Sequence, residues 1–417
     1  MNFRQFAFAA GCFAALAAPA YAETHVTVLH VSENPAQKAI WQQIADDYNA
    51  AHPGVKVELK YLENEAFKAK LPTMLQADES RPDLFYSWGG GVMQAQDKAG
   101  FLQDISKDVA WESDLSPTAV DAFKVDGKTV GVPFEVGEVA FYYNKKLFEK
   151  AGVKAEDIKS WDDFLGAVKK LKAAGVTPIV VGAGEKWPMH FYYSYLVMRL
   201  GGEHALADAK AGKDGGFKNQ VFVEAGKKLQ ELGALEPFQP GYLSTKHGES
   251  AGMFGDGKAA MDLMGQWLLG MQAPNSTSGK GLPAEDIGIL SFPVLPGGKG
   301  KATDTLGGIN GWLISKSAPP EAVDFLKFFS QAKYAKAAAE KAAYIPVVKG
   351  AEASFTDPQF KRLADDLSKT TYHQNYFDQD LGPSVGRVIN DVSVAVAAGQ
   401  MTPEAAAAAI QEAADQQ

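Results

Sequence analysis

The chain has 417 residues, 46% hydrophobic and 22% charged, which is the composition of a globular protein with room for two domains. Its 41 Lys+Arg against 50 Asp+Glu give a net charge of −9 with no basic block, which argues against nucleic acid and anionic membrane surfaces as partners. A single cysteine and 7 histidines, without an HxxxH or HxH pair, exclude disulfide scaffolds, zinc ribbons and iron–sulfur clusters and speak against a His-based metal site, so no cofactor and no metal are expected.

Residues 1–22 read as an export signal. Arg4 supplies the positive end, Phe6 to Ala18 a short apolar core, and Ala20-Tyr21-Ala22 the small-x-small cleavage signature. The core is too short to span a bilayer. Cys12 follows Ala9-Ala10-Gly11 and partly resembles a lipoprotein box, but Ala9 stands where a leucine is usual, and the cysteine precedes a full apolar core. Cleavage after Ala22 leaves a cysteine-free chain beginning at Glu23 and predicts a soluble periplasmic protein whose core must suffice without disulfides.

His25 to Val31 is a buried-strand pattern. Asn34-Pro35 opens a helix that carries Ile40, Trp41, Ile44, Ala45 and Tyr48 at helical spacing, and His52-Pro53-Gly54 stops it. Val55 to Tyr61 alternates as a strand, Phe67 to Gln76 is helical, and Asp83 to Tyr86 is a third strand. This β-α-β-α-β order predicts a parallel sheet with crossover helices. Lys128 to Pro133 and Val139 to Tyr143 are strand-like. Ser160, with Asp163 three residues on, caps a helix from Trp161 to Ala173. Val176 to Gly182 reads as another buried strand, His190 to Leu200 as an aromatic helix, and Val221 to Leu232 as a helix. Strands are predicted at Ala259 to Met264, Ile287 to Leu295 and Trp312 to Ser315, then a helix from Pro319 to Ser330. The alanine-rich tail from Val385 to Ala414 is helical and restarts at Thr402-Pro403. Two α/β lobes follow: residues 23–131 plus about 304–343, and 132–303 plus about 344–417. Crossings are expected near Gly131-Pro133, Gly297-Gly300 and Tyr344-Pro346, with a small-molecule cleft between the lobes.

Gly248-Glu249-Ser250-Ala251-Gly252 matches GxSxG, but a nucleophile elbow needs a strand before the serine, and Gln239 to Lys246 reads as loop. No phosphate-binding GxxxxGK[ST] and no GxGxxG after the first strand occur. Glu135 with Glu138, and Asp378 with Asp380, are the carboxylate pairs that a glycosidase would require, though closeness in sequence does not set their separation across a sugar. Trp88, Trp187 and Trp267 sit beside Gly or Pro, where a ring can offer its face to the C–H side of a pyranose. Trp41, Trp161 and Trp312 lie inside periodic elements and are expected in the core.

Several stretches, in this order and spacing, resemble the extracellular solute-binding proteins, family 1, of ABC importers for sugars. They are Val26-Thr27-Val28-Leu29-His30, His52-Pro53-Gly54-Val55, Arg81-Pro82-Asp83-Leu84-Phe85, Gly131-Val132-Pro133-Phe134, and Phe141 to Phe148. Ser160-Trp161-Asp162-Asp163-Phe164, Gly257-Lys258-Ala259-Ala260-Met261, Gly265-Gln266-Trp267 and Trp312 to Lys316 continue the series. The helix after Trp187-Pro188 and the Asp378 to Pro383 segment look more like binders of di- and oligosaccharides, such as raffinose-type α-galactosides. The resemblance implies a two-lobe periplasmic binding protein fold (type II, maltodextrin-binding-like) with a multi-crossing hinge and no catalysis. The implied partners are one small-molecule carbohydrate and the membrane permease of an ABC importer; a monomer is expected. Trp267 would stack on the sugar. Ser32, Glu33 and Asn34 would supply polar contacts after the first strand, and Glu135, Asn310 and Tyr344 would line the cleft together with Trp88, Trp187 and Asp378. The run Trp88-Gly89-Gly90-Gly91 departs from the pattern, since related proteins often carry a polar residue there. Another polyol or a glycerol phosphate is the alternative ligand, and a secreted glycosidase the alternative function. The few arginines of the mature chain, Arg81, Arg199, Arg362 and Arg387, lie far apart in sequence, which disfavours phosphate.

Overall fold

A computed structural model describes residues 23–417; the expected export signal and Cys12 lie outside the described residues. Thr24–His30 pairs in parallel with Val55–Tyr61 along its whole length and with Leu84–Ser87 on its other edge. The crossover helix Pro35–Ala51 starts where Asn34 Oδ1 accepts from Ala36 N at 3.0 Å, and it buries Ile40, Trp41, Ile44, Ala45 and Tyr48 against the sheet. Asn64–Gln76 is the second crossover. Three later strands complete a mixed six-stranded sheet. Ile309–Ile314 is antiparallel to both Leu84–Ser87 and Gly131–Val136, and Ile345–Pro346 closes the edge. The core here is aromatic: Trp312 meets Trp41 edge to face at 5.0 Å and stacks on Phe134 at 5.2 Å.

The second lobe is built on Val139–Asn144, which pairs antiparallel with Met261–Gly265, Ile287–Leu290 and Thr305–Leu306. Helices Trp161–Ala173, Trp187–Gly201, Gln220–Gly233, Gly382–Ala397 and Pro403–Asp415 cover it. The Trp187–Gly201 helix is buried at every position from Pro188 to Arg199, as an all-round apolar sequence requires. Its Arg199 donates to the carbonyls of Phe292 and Asp304.

Three passages join the lobes. The first runs from Val136 through Gly137 to Val139, and the second from Leu306 through Gly307-Gly308 to Ile309. They lie side by side: Gly137 N donates to Gly308 O at 2.7 Å, and a Cβ on Gly307 would stand 1.9 Å from Gly137 O. The third follows Ile345–Pro346, since Val348 and Ala351 pack in the first core and Phe355 in the second. Each passage therefore falls a few residues beyond the Gly or Pro that the sequence suggests. Gly131 is small for a different reason, because Phe123 and Leu313 press to within 2.8 and 2.7 Å of where its Cβ would be. Gly297–Gly300 belongs wholly to the second lobe, with Gly300 N bonded to Arg199 O at 3.1 Å. Val176–Gly182 is buried but makes only single bridges from Ile179, and Pro178 beside it has no N–H to donate. Trp41, Trp161 and Trp312 are fully buried. The GxSxG segment lies inside the helix His247–Gly255, where buried Ser250 donates to His247 O at 2.8 Å, so it forms no elbow.

Candidate ligand-binding cleft

A cavity of about 390 Å³ lies between the lobes, within the range of small-molecule sites. Its first-lobe wall comes from the loop after the first strand and from the hinge strands. Ser32 Oγ donates to Gln37 Oε1 at 2.5 Å, and Gln37 Nε2 donates to Glu135 Oε2 at 3.1 Å. Tyr86 Oη and Asn310 Nδ2 donate to Glu135 Oε1 at 3.2 and 2.5 Å. Glu135 is thus held by three donors yet only 5% exposed, and burial outweighs those bonds and pushes its carboxyl up to about 7. Farther out, Glu33 accepts from Tyr61 Oη at 2.8 Å.

The second-lobe wall is aromatic. Trp187, Phe191, His247, Trp267 and Tyr376 form a chain of rings, with Trp187 5.0 Å from His247 and 6.4 Å from Trp267, and Trp267 6.4 Å from Tyr376. Trp267 is the first residue of the helix Trp267–Asn275, and its ring lies over Gly265, where a Cβ would meet Cζ3 at 2.0 Å. Gly265→Ala is therefore expected to tip the indole out of place and weaken ligand binding, at a cost in folding stability of about 1–3 kcal/mol. Titration calorimetry of that variant checks it; unchanged affinity would show that the ring's seat does not matter.

Polar groups converge between the rings. His190 Nδ1 bonds to Trp187 O at 2.6 Å, which leaves Nε2 as an acceptor 3.6 Å from Asp378 Oδ1. Burial pulls the His190 imidazole below its ordinary range despite Asp378. His247, 8% exposed, has no partner for either ring nitrogen among the described residues, and burial pulls it down to about 4. Lys68 reaches across from the first lobe, 3.9 Å from Asp378, with its ammonium 5.6 Å from the Trp88 ring centre.

Ser32, Glu33, Asn34, Trp88, Glu135, Trp187, Trp267, Asn310 and Asp378 all reach the cavity wall. Tyr344 does not: it is packed against Phe134 at 5.5 Å in the first core, and its neighbour Ala343 faces the cavity instead. The carboxylate pairs separate as well. Glu138 and Asp380 lie outside the cavity walls, and Asp380 pairs with Lys210 at 3.2 Å. The triple glycine is a joint between lobes. A Cβ on Gly91 would stand 2.6 Å from Asp380 O, and Asn375 Nδ2 donates to Trp88 O at 3.0 Å. Sequence reading missed Gln37, His190, His247 and Tyr376. His190 and His247 stand on helices that the sequence presents as plain core or loop, and only the fold turns them inward.

Two lobes, three chain passages and a cavity between facing walls define the two-lobe periplasmic-binding-protein fold. A family model for bacterial extracellular solute-binding proteins matches residues 32–336, and the chain belongs to that family, whose members bind solutes without transforming them. An ABC-transporter extracellular-binding protein of Pyrococcus horikoshii is 26% identical, over 71% of this chain and 66% of its own. The match thus spans just under two thirds of that relative. A structure from work on xylan utilisation by Caldanaerobius polysaccharolyticus superposes with a TM-score of 0.85 at 25% identity, covering 93% of this chain and 99% of the other. A chitin oligosaccharide binding protein gives the same score and identity over 94% of this chain and 98% of its own.

Proposed function

We propose that the protein is the substrate-binding component of an ABC importer and captures a di- or oligosaccharide in the periplasm. The observation that carries this reading is the pairing of an aromatic wall around Trp187 and Trp267 with a wall of hydrogen-bond acceptors. Stacked rings suit the C–H faces of pyranoses, and Asp378, Glu135, His190 and His247 suit their hydroxyl rims. The names of the two structural neighbours, one bound up with xylan utilisation and one with chitin oligosaccharides, point the same way. Phosphorylated ligands fit poorly, because no arginine is among the described cavity residues and carboxylates outnumber lysines there.

Ligand held by Trp267 from one lobe and by Glu135 and Lys68 from the other favours the closed form, and that difference in affinity drives closure. The closed face then docks on the permease, with the binding protein acting as a monomer. A melting screen against xylo-oligosaccharides, chitin oligosaccharides, raffinose and glycerol phosphate tests the ligand class. A rise in Tm with at least one saccharide and none with glycerol phosphate is expected. Small-angle scattering with the saccharide found should show a smaller radius of gyration. No response to any saccharide would sink the reading.

A further inference from the structure

At the end of the cleft away from Glu135, carboxyl groups of both lobes converge on the start of the His247–Gly255 helix. Glu185 accepts from His247 N at 2.5 Å and Glu249 from Lys246 N at 2.9 Å, so these two already satisfy donors of the helix's own first turn. Glu33 comes from the first lobe. Its Oε1 accepts from Tyr61 Oη, and its Oε2 lies 4.0 Å from where a Cβ on Gly248 would stand. Each of the three thus spends one oxygen inside the protein, and the other makes no hydrogen bond to a nitrogen or hydroxyl donor of the described residues. All three line the cavity together with Glu63. Lys246 is the cation at this end, because the cavity's other lysine, Lys68, is spent on Glu65 and Asp378. Carboxylates therefore outnumber cations here, and the end of the cleft is negative.

His247 marks the same spot independently. It is 8% exposed and lines the cavity, yet neither ring nitrogen has a partner among the described residues, as befits a buried group whose partner is a ligand. The Trp187 ring lies 5.0 Å from it, so a substituent of a sugar stacked on Trp187 comes up beside these carboxylates. No three His, Cys, Asp or Glu side chains among the described residues are grouped to hold a metal ion, and the spread of these carboxylates suits a larger, organic cation. We propose that this end of the cleft takes the protonated amino group of an amino sugar, so that the ligand is a cationic saccharide held between carboxylates of the two lobes. An ammonium carries three N–H donors and no lone pair, which answers the open oxygens of Glu33, Glu185 and Glu249; a hydroxyl brings one donor and no charge. The neutral His247 ring can meet a neighbouring hydroxyl without repelling the cation. Closing the lobes draws Glu33 towards Glu185 and Glu249. A cation between them turns that repulsion into attraction, so an amino sugar favours the closed form more than its neutral counterpart does.

The inference rests on the carbohydrate reading of the cleft, which leaves the ligand's charge open, and matched sugars separate the two. Glucosamine against glucose, galactosamine against galactose and chitobiose against cellobiose differ only in amino groups standing for hydroxyls. In calorimetry at about pH 6, where such an amine is protonated, the amino member of at least one pair should bind about tenfold tighter than its neutral partner, a figure that allows for solvent at partly exposed carboxylates. Most of that advantage should go between low and high salt. In a Glu185→Gln, Glu249→Gln double variant, shown by its melting curve to fold, the ratio of the two affinities should fall to about one. Equal affinities within every pair, tighter binding of the neutral members, or a double variant that keeps the full ratio would overturn the amine site and leave the carbohydrate reading in place. Binding of no sugar of either kind would sink the carbohydrate reading and this inference with it.

Discussion

Trp267→Ala is expected to weaken ligand binding by about 2–4 kcal/mol, roughly 30- to 1,000-fold in Kd, which is the range for an aromatic anchor at the centre of an interface. The indole is half-buried on the cavity wall, with Trp187 and Tyr376 beside it and Gly265 beneath it, so one face stays open to a ligand. Little core depends on it. The residue that ties its helix into the second lobe is Leu268, which is fully buried. The variant should therefore melt within a few degrees of the wild type, and Trp267→Phe should recover part of the affinity. Calorimetry with the saccharide from the melting screen decides the matter; an affinity for the alanine variant within twofold of the wild type would remove Trp267 from the site.

The parts of this fold that were legible in the sequence are those whose cause is local. Asn34-Pro35 is a cap followed by a fixed φ, Ser160 with Asp163 is a reciprocal capping box, and both helices start where those residues predict. Val55 to Tyr61 alternates and is a strand over those residues. What was not legible depends on distant partners. Gly131, Gly298 and Gly300 look like bends but are places where backbone or rings press close, which no local pattern announces. Trp267 looks like the end of a strand and is instead the start of a helix, so its ring is aimed by helix geometry. In the cleft, the loop tryptophans and the residues after the first strand were visible because Gly and Pro neighbours and strand ends mark them. His190 and His247 were not, since a histidine on an apolar helix such as that of His190 is usually core and His247 follows a stretch that reads as loop, and only the packing of their two helices against the cavity sets them apart. Tyr344 failed for the opposite reason: it precedes a hinge-side strand, but the side of the chain that faces the cleft there is that of Ala343.

The buried carboxyl of Glu135 makes the whole protein's stability fall as pH rises. Burial, opposed by the donors Asn310, Tyr86 and Gln37, raises Glu135 from 4.5 to about 7 in the folded state. The unfolded chain keeps the ordinary value. Below pH 4.5 the carboxyl is protonated in both states, and the fold is not penalised for it. Between 4.5 and 7 the unfolded chain releases the proton first, so stability falls as pH rises. Above 7 both states are ionised and the loss levels off, at about 3 kcal/mol. Glu138, raised to about 8 mainly by burial, adds a similar slope displaced upward, so the wild-type curve alone does not isolate Glu135. The difference between wild type and Glu135→Gln does. The amide keeps an acceptor oxygen for Tyr86 and Asn310 but cannot ionise, so urea unfolding of the variant at pH 5 and pH 8 should show a fall smaller by about 2 kcal/mol. Its ligand affinity should also drop, because an amide accepts more weakly from a ligand hydroxyl than a carboxylate does. Equal falls in stability for the two proteins would mean that water or relaxation keeps Glu135 ionised in the fold. The polar centre of the hinge would then be a solvated pocket, and Glu135 would act on the ligand as an ordinary carboxylate across the whole pH range.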